Sequence, residues 1–487
     1  PPRSTLFPYT TLFRSVALPN NQEEVVNVID WADQNNIAVI PYGGGSSVCG
    51  GVETDVDESY SAVISLDLRN LNKVLEIDKV SRAARIQAGI FGPALEEELK
   101  KSNLTLRHFP QSFEHSTLGG WIATRSGGHY ATLYTHIDDF VESTTMVTPT
   151  GIVESRRLPG SGAGPSPDRI VIGSEGILGV ITEAWMRLQE RPTFRASCPV
   201  LFDDYDKALK ATRLVSQSAL FPANCRLLDA NEALFNGAGD GSKHLLILSF
   251  ESADHEMDSW LNRALEIASD AGGQYELPKE KEVDAHKSGA SGTWRNSFIR
   301  APYYREAAVR RGIIQDTFET AITWDKGYEF IESLKIKASK AIKEISGKES
   351  AVTCRLTHTY PDGLAPYFSY SAYATPSTMI DVWKEIKLVT NEICVKEGGT
   401  VTHHHAVGRD HRVKGYDLQR PEGFKNMLVA TKTGAESSKE VYIKEDNNWD
   451  SLAVQCWSQF QNLYGIAPCM AYSWMGSEDG VAVSCEG

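Results

Sequence analysis

The stretch Pro110-Gln111-Ser112-Phe113-Glu114-His115-Ser116-Thr117-Leu118-Gly119-Gly120-Trp121-Ile122-Ala123-Thr124-Arg125-Ser126-Gly127-Gly128 constrains this chain more than any other. It places glycine, hydroxyl and other small residues where a fold normally puts bulky ones, and its paired glycines let the main chain come close to a ligand. Ser116, Thr117, Thr124 and Ser126 can donate to phosphate or ring carbonyl oxygens. Taken alone, the stretch also reads as a glycine-rich surface turn. Two companions share its character. Pro41-Tyr42-Gly43-Gly44-Gly45-Ser46-Ser47-Val48-Cys49-Gly50-Gly51 follows the apolar run Ile37–Ile40, and successive N–H groups in such a loop make an anion-binding nest. Gly173-Ser174-Glu175-Gly176-Ile177-Leu178-Gly179-Val180-Ile181-Thr182-Glu183 turns a glycine loop into a β-branched strand. Three such segments over about 140 residues suit an extended dinucleotide better than a single phosphate.

Bulk properties narrow the function. A chain of 487 residues, 41% hydrophobic, can bury large cores and is expected to form two or more domains. Its net charge of −14, from 49 basic and 63 acidic residues, disfavours a nucleic-acid partner. No 18-residue apolar run exists, so no transmembrane helix is expected. The cysteines at 49, 198, 225, 354, 394, 456, 469 and 485 show no C-x-x-C spacing, which disfavours a zinc site and a disulfide framework. A reducing, cytoplasmic location is the simplest expectation, with peripheral membrane contact left open. The terminal Ser484-Cys485-Glu486-Gly487 is not a peroxisomal signal.

Residues 1–15 carry a Thr-Leu-Phe repeat without amphipathic period and are expected to be foreign to the fold. Val25, Val28, Ile29 and Ala32 mark an amphipathic helix capped by Asn20 or Asn21, and Ile37–Ile40 the buried strand behind it. Strands are expected at 62–66, 74–77 and 84–87 and a helix over 93–101, with the strands antiparallel. No GxGxxG follows a strand, so the doubly wound nucleotide fold loses support. Residues 154–168 read as a surface loop. After Arg191-Pro192, strands near 244–250, 352–359 and 367–372 alternate with helices near 206–217, 257–271, 330–345 and 381–396. That alternation suggests an antiparallel sheet with helices on one face, a cap over a cofactor. Within the cap, Thr402-His403-His404-His405-Ala406-Val407-Gly408 is the sharpest chemical feature. On a strand, consecutive side chains alternate faces, so at most two of these histidines converge and a metal site is not expected. A metal-scavenging tract or a polar loop are the competing readings.

The order PYGGGSS, PQSFEHSTLGGWIATRS, EGILGVI resembles the FAD-binding domain of the vanillyl-alcohol oxidase/p-cresol methylhydroxylase (PCMH) flavoprotein superfamily. Over roughly residues 16–430 the chain is most similar, within it, to the alkyldihydroxyacetonephosphate synthase family. The resemblance implies an α+β fold: a two-subdomain PCMH-type FAD-binding domain plus an α/β cap domain with an antiparallel sheet. The expected boundaries are a leader at 1–15, the FAD domain at 16–190, the cap at 191–405, a partial return to the flavin domain at 406–433 and an atypical tail at 434–487. It further implies FAD held without a covalent bond by Pro41 to Ser47, Pro110 to Ser116, Ala123 to Ser126 and Glu175 to Ile181. Arg226 would be required for activity, with a structural ion pair to Asp229 or another acid as the alternative reading. Arg305 would hold a substrate phosphate, a task a planar guanidinium suits. Tyr367 and His403, His404 and His405 would move protons, although an aromatic on a strand is by default a core residue. The implied reaction converts 1-acyl-dihydroxyacetone phosphate and a long-chain alcohol into the 1-alkyl product and a fatty acid, with no net redox change. The alternatives are a flavin-dependent 2-hydroxy-acid dehydrogenase of the D-lactate or glycolate type, and a non-catalytic flavoprotein fragment. A homodimer stays open. Three departures stand out: Gly45-Ser46-Ser47 replaces the family's Gly-Thr-Ser, the Trp-rich tail after about Thr433 reads as unrelated, and the N-terminus looks truncated. Residues 1–15 and the tail are expected to be the most protease-sensitive parts.

Overall fold

A computed structural model describes residues 13–54, 56, 59–134, 136–162, 166–277, 307–421, 451–453 and 482–484. β1 (Phe13–Ala17), β2 (Ile37–Tyr42) and β3 (Ala62–Asp67) form a sheet in the order β1-β3-β2. Asn21 caps the helix Gln22–Gln34, its side chain accepting from the Glu24 N–H at 2.9 Å, and Val25, Ile29 and Ala32 are buried beneath it. Two expectations are corrected here. Phe13, Arg14 and Ser15, expected to be foreign to the fold, belong to β1, which pairs with β3 from Phe13 onward. This sheet is also parallel, since a helix or a long loop carries the chain back across it between consecutive strands.

β4 (Val74–Asp78), β5 (Ala83–Gln87), β7 (Val141–Thr148), β8 (Gly151–Glu154) and β9 (Val180–Arg187) form an antiparallel sheet ordered β4-β5-β9-β7-β8. Beside it, β6 (Leu104–Thr105) pairs with β10 (Gln189–Glu190). The helices Gly92–Lys100 and Leu118–Thr124 supply Leu95, Leu99, Trp121 and Ile122 to one core with Ile86, Ala184 and Met186. Gly119 permits this packing, since a Cβ there would stand 2.7 Å from the Ala88 methyl.

The remaining sheet is the functional one. β11 (Phe194–Phe202), β12 (Asn224–Leu228), β13 (His244–Ser252), β14 (Ile313–Glu319), β15 (Ile322–Thr323), β16 (Val352–Thr359) and β17 (Gly363–Tyr373) run antiparallel in the order β11-β13-β12-β16-β17-β14, with β15 on β17. The helices Tyr205–Ser216, Asp258–Asp270, Gly327–Ser346 and Met379–Lys396 pack on one face, as the alternating pattern predicts. Ile314 and Phe318, Val352, Cys354 and Leu356, and Phe368 and Ala372 lie in that core. Because strand side chains alternate, Gln315, Thr317 and Glu319, Thr353, Arg355 and Thr357, and Tyr367, Ser369 and Ser371 occupy the opposite face. β12 and β14 escape a reading by hydrophobicity because Asn224 and Arg226, or Gln315, Asp316 and Glu319, interrupt their apolar residues.

A buried ion pair ties the two halves together. Arg107, just before the glycine-rich stretch, bonds the carboxylate of Glu251 on β13 through Nε and Nη2, with side chains 9% and 0% exposed. The guanidinium also lies 3.9 Å from the Tyr130 ring centroid. Glu251→Ala leaves that charge buried with an aromatic face as compensation, so a loss of about 3 kcal/mol is expected. A urea midpoint unchanged from wild type would show that the pair contributes nothing. Outside the described residues lie most of the leader and Arg305. Of the tail, only the short strands Ser451–Ala453 and Ala482–Ser484 are described, paired in parallel.

Candidate active site

A cavity of about 680 Å³ lies between the glycine-rich segments and the polar face of the seven-stranded sheet, within the range of small-molecule and cofactor sites. Its first wall is the loop after β2. The N–H groups of Gly43, Gly44, Gly45, Ser46 and Ser47 donate to no acceptor among the described residues, so the loop presents a row of free donors to an anion. The glycines also serve close backbone packing. A Cβ on Gly43 would lie 2.2 Å from Thr117 Oγ1, and one on Gly44 1.8 Å from the carbonyl oxygen of His115. Gly44→Ala is therefore expected to separate the two glycine segments and to yield protein that purifies without flavin absorbance. A yellow Gly44→Ala protein would show that the loop yields without losing its ligand.

Of the residues expected to hold the cofactor, Pro41 to Ser47, Pro110, Gln111, Ser112, His115, Ser116, Ala123, Thr124, Ser126, Glu175, Gly176, Gly179 and Ile181 line the cavity. Six do not. Phe113 stacks on Trp121, Leu178 packs on the core beside it, Val180 is buried beneath the first sheet, and Glu114 and Ile177 face solvent. Arg125 ends its helix in the left-handed conformation and pairs with Asp138 at 2.7 Å. The hydroxyls are also less available than their types suggest. Ser116 donates to the Ser112 carbonyl and accepts from the Trp121 indole, and Thr124 donates to the Gly120 carbonyl.

Three distant segments interlock at the base of the cavity. Glu175 accepts from the N–H groups of Val407 and Gly408 at 2.9 and 2.7 Å. The Cys49 thiol donates to the His405 carbonyl at 3.0 Å, and the Cys49 carbonyl accepts from Arg409 N at 2.8 Å. Burial pushes that thiol up to about 12, so it is a structural latch and not a nucleophile. Gly408, at φ +51°, could carry no side chain here because a Cβ would meet the Cys49 carbonyl oxygen at 2.2 Å.

The opposite wall is set by strand register. Tyr367 faces Arg355 on one side and Glu319 on the other, forming one row across β16, β17 and β14. The Arg355 guanidinium lies 3.9 Å from the Tyr367 ring centroid and pairs with Glu232 at 2.5 Å. Thr317 Oγ1 donates to the Tyr367 oxygen at 3.0 Å, which leaves the phenol proton for a cavity acceptor. Burial raises the pKa of Tyr367, with the Arg355 charge opposing, so it remains a proton donor at neutral pH. Arg226 is 1% exposed, and burial followed by the Arg355 charge lowers it to about 9. Asp229, the alternative partner, is engaged elsewhere. Asp229 caps the helix Ala230–Phe235, pairs with Lys335 at 3.1 Å and accepts from the Cys354 N–H.

The histidines overturn the strand-based expectation. Residues 402–405 form an irregular turn wrapped around the buried Glu319 carboxylate, whose Oε1 accepts from Thr402 Oγ1 and from the N–H groups of His404 and His405. Because the backbone is not extended, all three rings approach one carboxylate: Nδ1 of His403, His404 and His405 lie 3.9, 3.0 and 3.6 Å from its oxygens. His404 and His405 line the cavity, whereas His403 stands behind them. Burial opposes charge on Glu319, but His404 and His405 outweigh it and hold the carboxyl well below its usual range. Burial lowers His403 and His405, the latter to about 3. Sequence reasoning missed Arg355, Glu232 and Glu319. For Arg355 and Glu319 the available signal was a charge inside a strand, whereas Glu232 lies on the helix Ala230–Phe235 and gave none.

The FAD binding domain family matches residues 13–155, and the C-terminal domain of FAD linked oxidases matches residues 191–429. Alkyldihydroxyacetonephosphate synthase of Dictyostelium discoideum is 33% identical over 419 residues, covering 81% of this chain and 67% of that protein. The chain belongs to the alkyldihydroxyacetonephosphate synthase family of FAD-linked oxidases. The synthase of Caenorhabditis elegans is 30% identical over 417 residues, covering 81% of this chain and 69% of that one. A solved structure of alkyldihydroxyacetonephosphate synthase superposes with a TM-score of 0.67 at 30% identity, over 79% of this chain and 71% of that one. A glycolate oxidase subunit of Bacillus subtilis is more distant, at 24% identity. Like other members of the family, the chain is an FAD-dependent enzyme with a PCMH-type fold. The unpaired N–H row of the Gly43–Ser47 loop and the glycine-bounded cavity fit a dinucleotide pyrophosphate.

Proposed function

We propose that this enzyme exchanges the acyl chain of 1-acyl-dihydroxyacetone phosphate for a long-chain alcohol, forming the ether-linked product and a fatty acid. The observation that carries this reading is the three-histidine turn on Glu319, which shares one cavity with Arg226, Tyr367 and the glycine loops. Bound FAD supplies an electron-accepting ring system to a reaction without net redox change. The chain supplies charge and proton transfer. Arg226 and Arg355 set positive charge on the wall facing the substrate, suited to an anionic headgroup. His404 and His405, beside an ionised Glu319, are placed to take the proton of the attacking alcohol. The Tyr367 hydroxyl is placed to donate to the departing carboxylate. Arg305 remains the proposed phosphate ligand.

The test is anaerobic. Labelled hexadecanol should enter the lipid product while acyl-dihydroxyacetone phosphate loses its fatty acid and the flavin stays oxidised. D-lactate or glycolate should not bleach the flavin; bleaching without alcohol incorporation would make the enzyme a hydroxy-acid dehydrogenase. Acid precipitation should release yellow flavin to the supernatant, since Tyr42 and Cys49 are the sole attachment groups in the Pro41–Gly51 loop. Colour retained in the washed pellet would establish a covalent tether.

A further inference from the structure

Two side chains outside the cavity wall continue the histidine cluster away from it. Tyr360 follows β16, and His136 stands immediately before the short helix Ile137–Phe140. The Tyr360 hydroxyl lies 2.8 Å from His403 Nε2 and 2.5 Å from His136 Nε2. At the far end His136 Nδ1 contacts the Arg125 carbonyl at 3.4 Å, and at the near end His403 Nδ1 lies 3.0 Å from His404 Nδ1. The groups thus form an unbroken row from a cavity-wall histidine to one that is partly exposed.

The carbonyl end gives the row a direction. A carbonyl oxygen only accepts, so His136 Nδ1 carries a proton and its Nε2 accepts from the Tyr360 hydroxyl. The Tyr360 oxygen then accepts from His403 Nε2–H, which leaves His403 Nδ1 a bare acceptor. The proton between the two neighbouring rings therefore sits on His404 Nδ1. Neutral His403 and His136 suit this pattern, because burial lowers both. The buried Glu319 Oε2 stands 3.0 Å from His404 Nδ1, where it balances a charge that forms on that ring. His404 Nε2 is left as the proton acceptor.

We propose that His404, His403, Tyr360 and His136 form a proton relay that removes the alcohol proton from the cavity. This rests on the alkyl-exchange reading above. The alcohol O–H bond breaks as its proton binds His404 Nε2. The Nδ1 proton of His404 passes to His403 Nδ1, the Nε2 proton of His403 to the Tyr360 oxygen, and the Tyr360 hydroxyl proton to His136 Nε2. The product of the relay is a His136 imidazolium, with the other groups neutral and their tautomers reversed. Loss of one proton from the His136 imidazolium to solvent, followed by return of the tautomers, resets the row. No electrons move and no further reactant is needed.

Purified holoenzyme tests this in two ways. In 15N-histidine NMR of the resting enzyme, His403 should be protonated at Nε2 and His404 and His136 at Nδ1, with assignments from single-histidine variants. In alkyl exchange, Tyr360→Phe and His136→Ala should each lower kcat by about tenfold or more, below what a directly positioned acid or base contributes. KM for both substrates and the flavin spectrum should stay unchanged, and added imidazole should restore His136→Ala. A His403 protonated at Nδ1, a zinc ion bound by His403 and His404, or wild-type kcat in both variants would overturn the relay. If the wild-type enzyme incorporates no hexadecanol, the alkyl-exchange reading fails, and the tautomers alone decide whether the row exists.

Discussion

His404→Ala is expected to lower alkyl exchange by about 10²- to 10⁴-fold, the range for a positioned proton-transfer group, with flavin still bound. The expectation follows from division of labour in the cavity. The donor row of Gly43–Ser47 and the latches through Glu175 and Cys49 build the cofactor side and make no use of the His404 ring. That ring instead stands 3.0 Å from Glu319 Oε2, so the variant removes the base and leaves the turn's backbone donors on Glu319 Oε1 intact. Single-turnover measurement with labelled hexadecanol, beside a flavin absorbance spectrum, checks both halves. A rate within tenfold of wild type would transfer the role to His405, whose Nδ1 lies 3.6 Å from the same carboxylate. Loss of flavin together with rate would show that the histidine turn is needed to hold the cofactor cavity together.

Acidification is the second large effect. Burial lowers His108 and His405 to about 3 in the folded protein, against about 6.5 in an unfolded chain. Between those values the unfolded chain binds protons that the folded one does not, so stability falls as pH falls. Each group is expected to remove about 2 kcal/mol on going from pH 7 to pH 5, and the two together about 4 kcal/mol. His358 and His403, also lowered by burial, act in the same direction. Glu319 adds to the loss only in more acidic solution, because its depressed carboxyl contributes stability that disappears below the ordinary carboxylate range. Urea midpoints at the two pH values measure the change. A midpoint that is flat or rises toward pH 5 would mean that these histidines are charged in the folded state.

The cofactor was legible because its recognition is local. A loop of glycines after a strand exposes its own N–H groups whatever the rest of the chain does, and Gly43 to Ser47 do so. The helix Gln22–Gln34 was legible for the same reason, since Asn21 and the spacing of Val25, Ile29 and Ala32 act within one turn or two. Where an outcome depended on distant partners, local rules misled. Ser116 and Thr124 have hydroxyls of the right type, yet nearby carbonyls take their protons. Arg226 has Asp229 three residues away, but on a strand this spacing points the two to opposite faces, and Asp229 finds Lys335 instead.

By itself the amino-acid sequence determined which segments carry glycine nests and which helices bury an apolar stripe, and it singled out His403, His404 and His405 as a cluster. Only the tertiary structure decided what those histidines surround. Glu319 comes from an edge of the seven-stranded sheet, more than 80 residues earlier in the chain, and register alone sets it beside Tyr367 and Arg355. The strand alternation that would send neighbouring histidines to opposite faces applies only to extended backbone, and here a buried carboxylate accepting three hydrogen bonds bends the chain around itself. Local spacing specifies side-chain direction where the backbone is regular; where a buried charge must be satisfied, its hydrogen bonds specify the backbone.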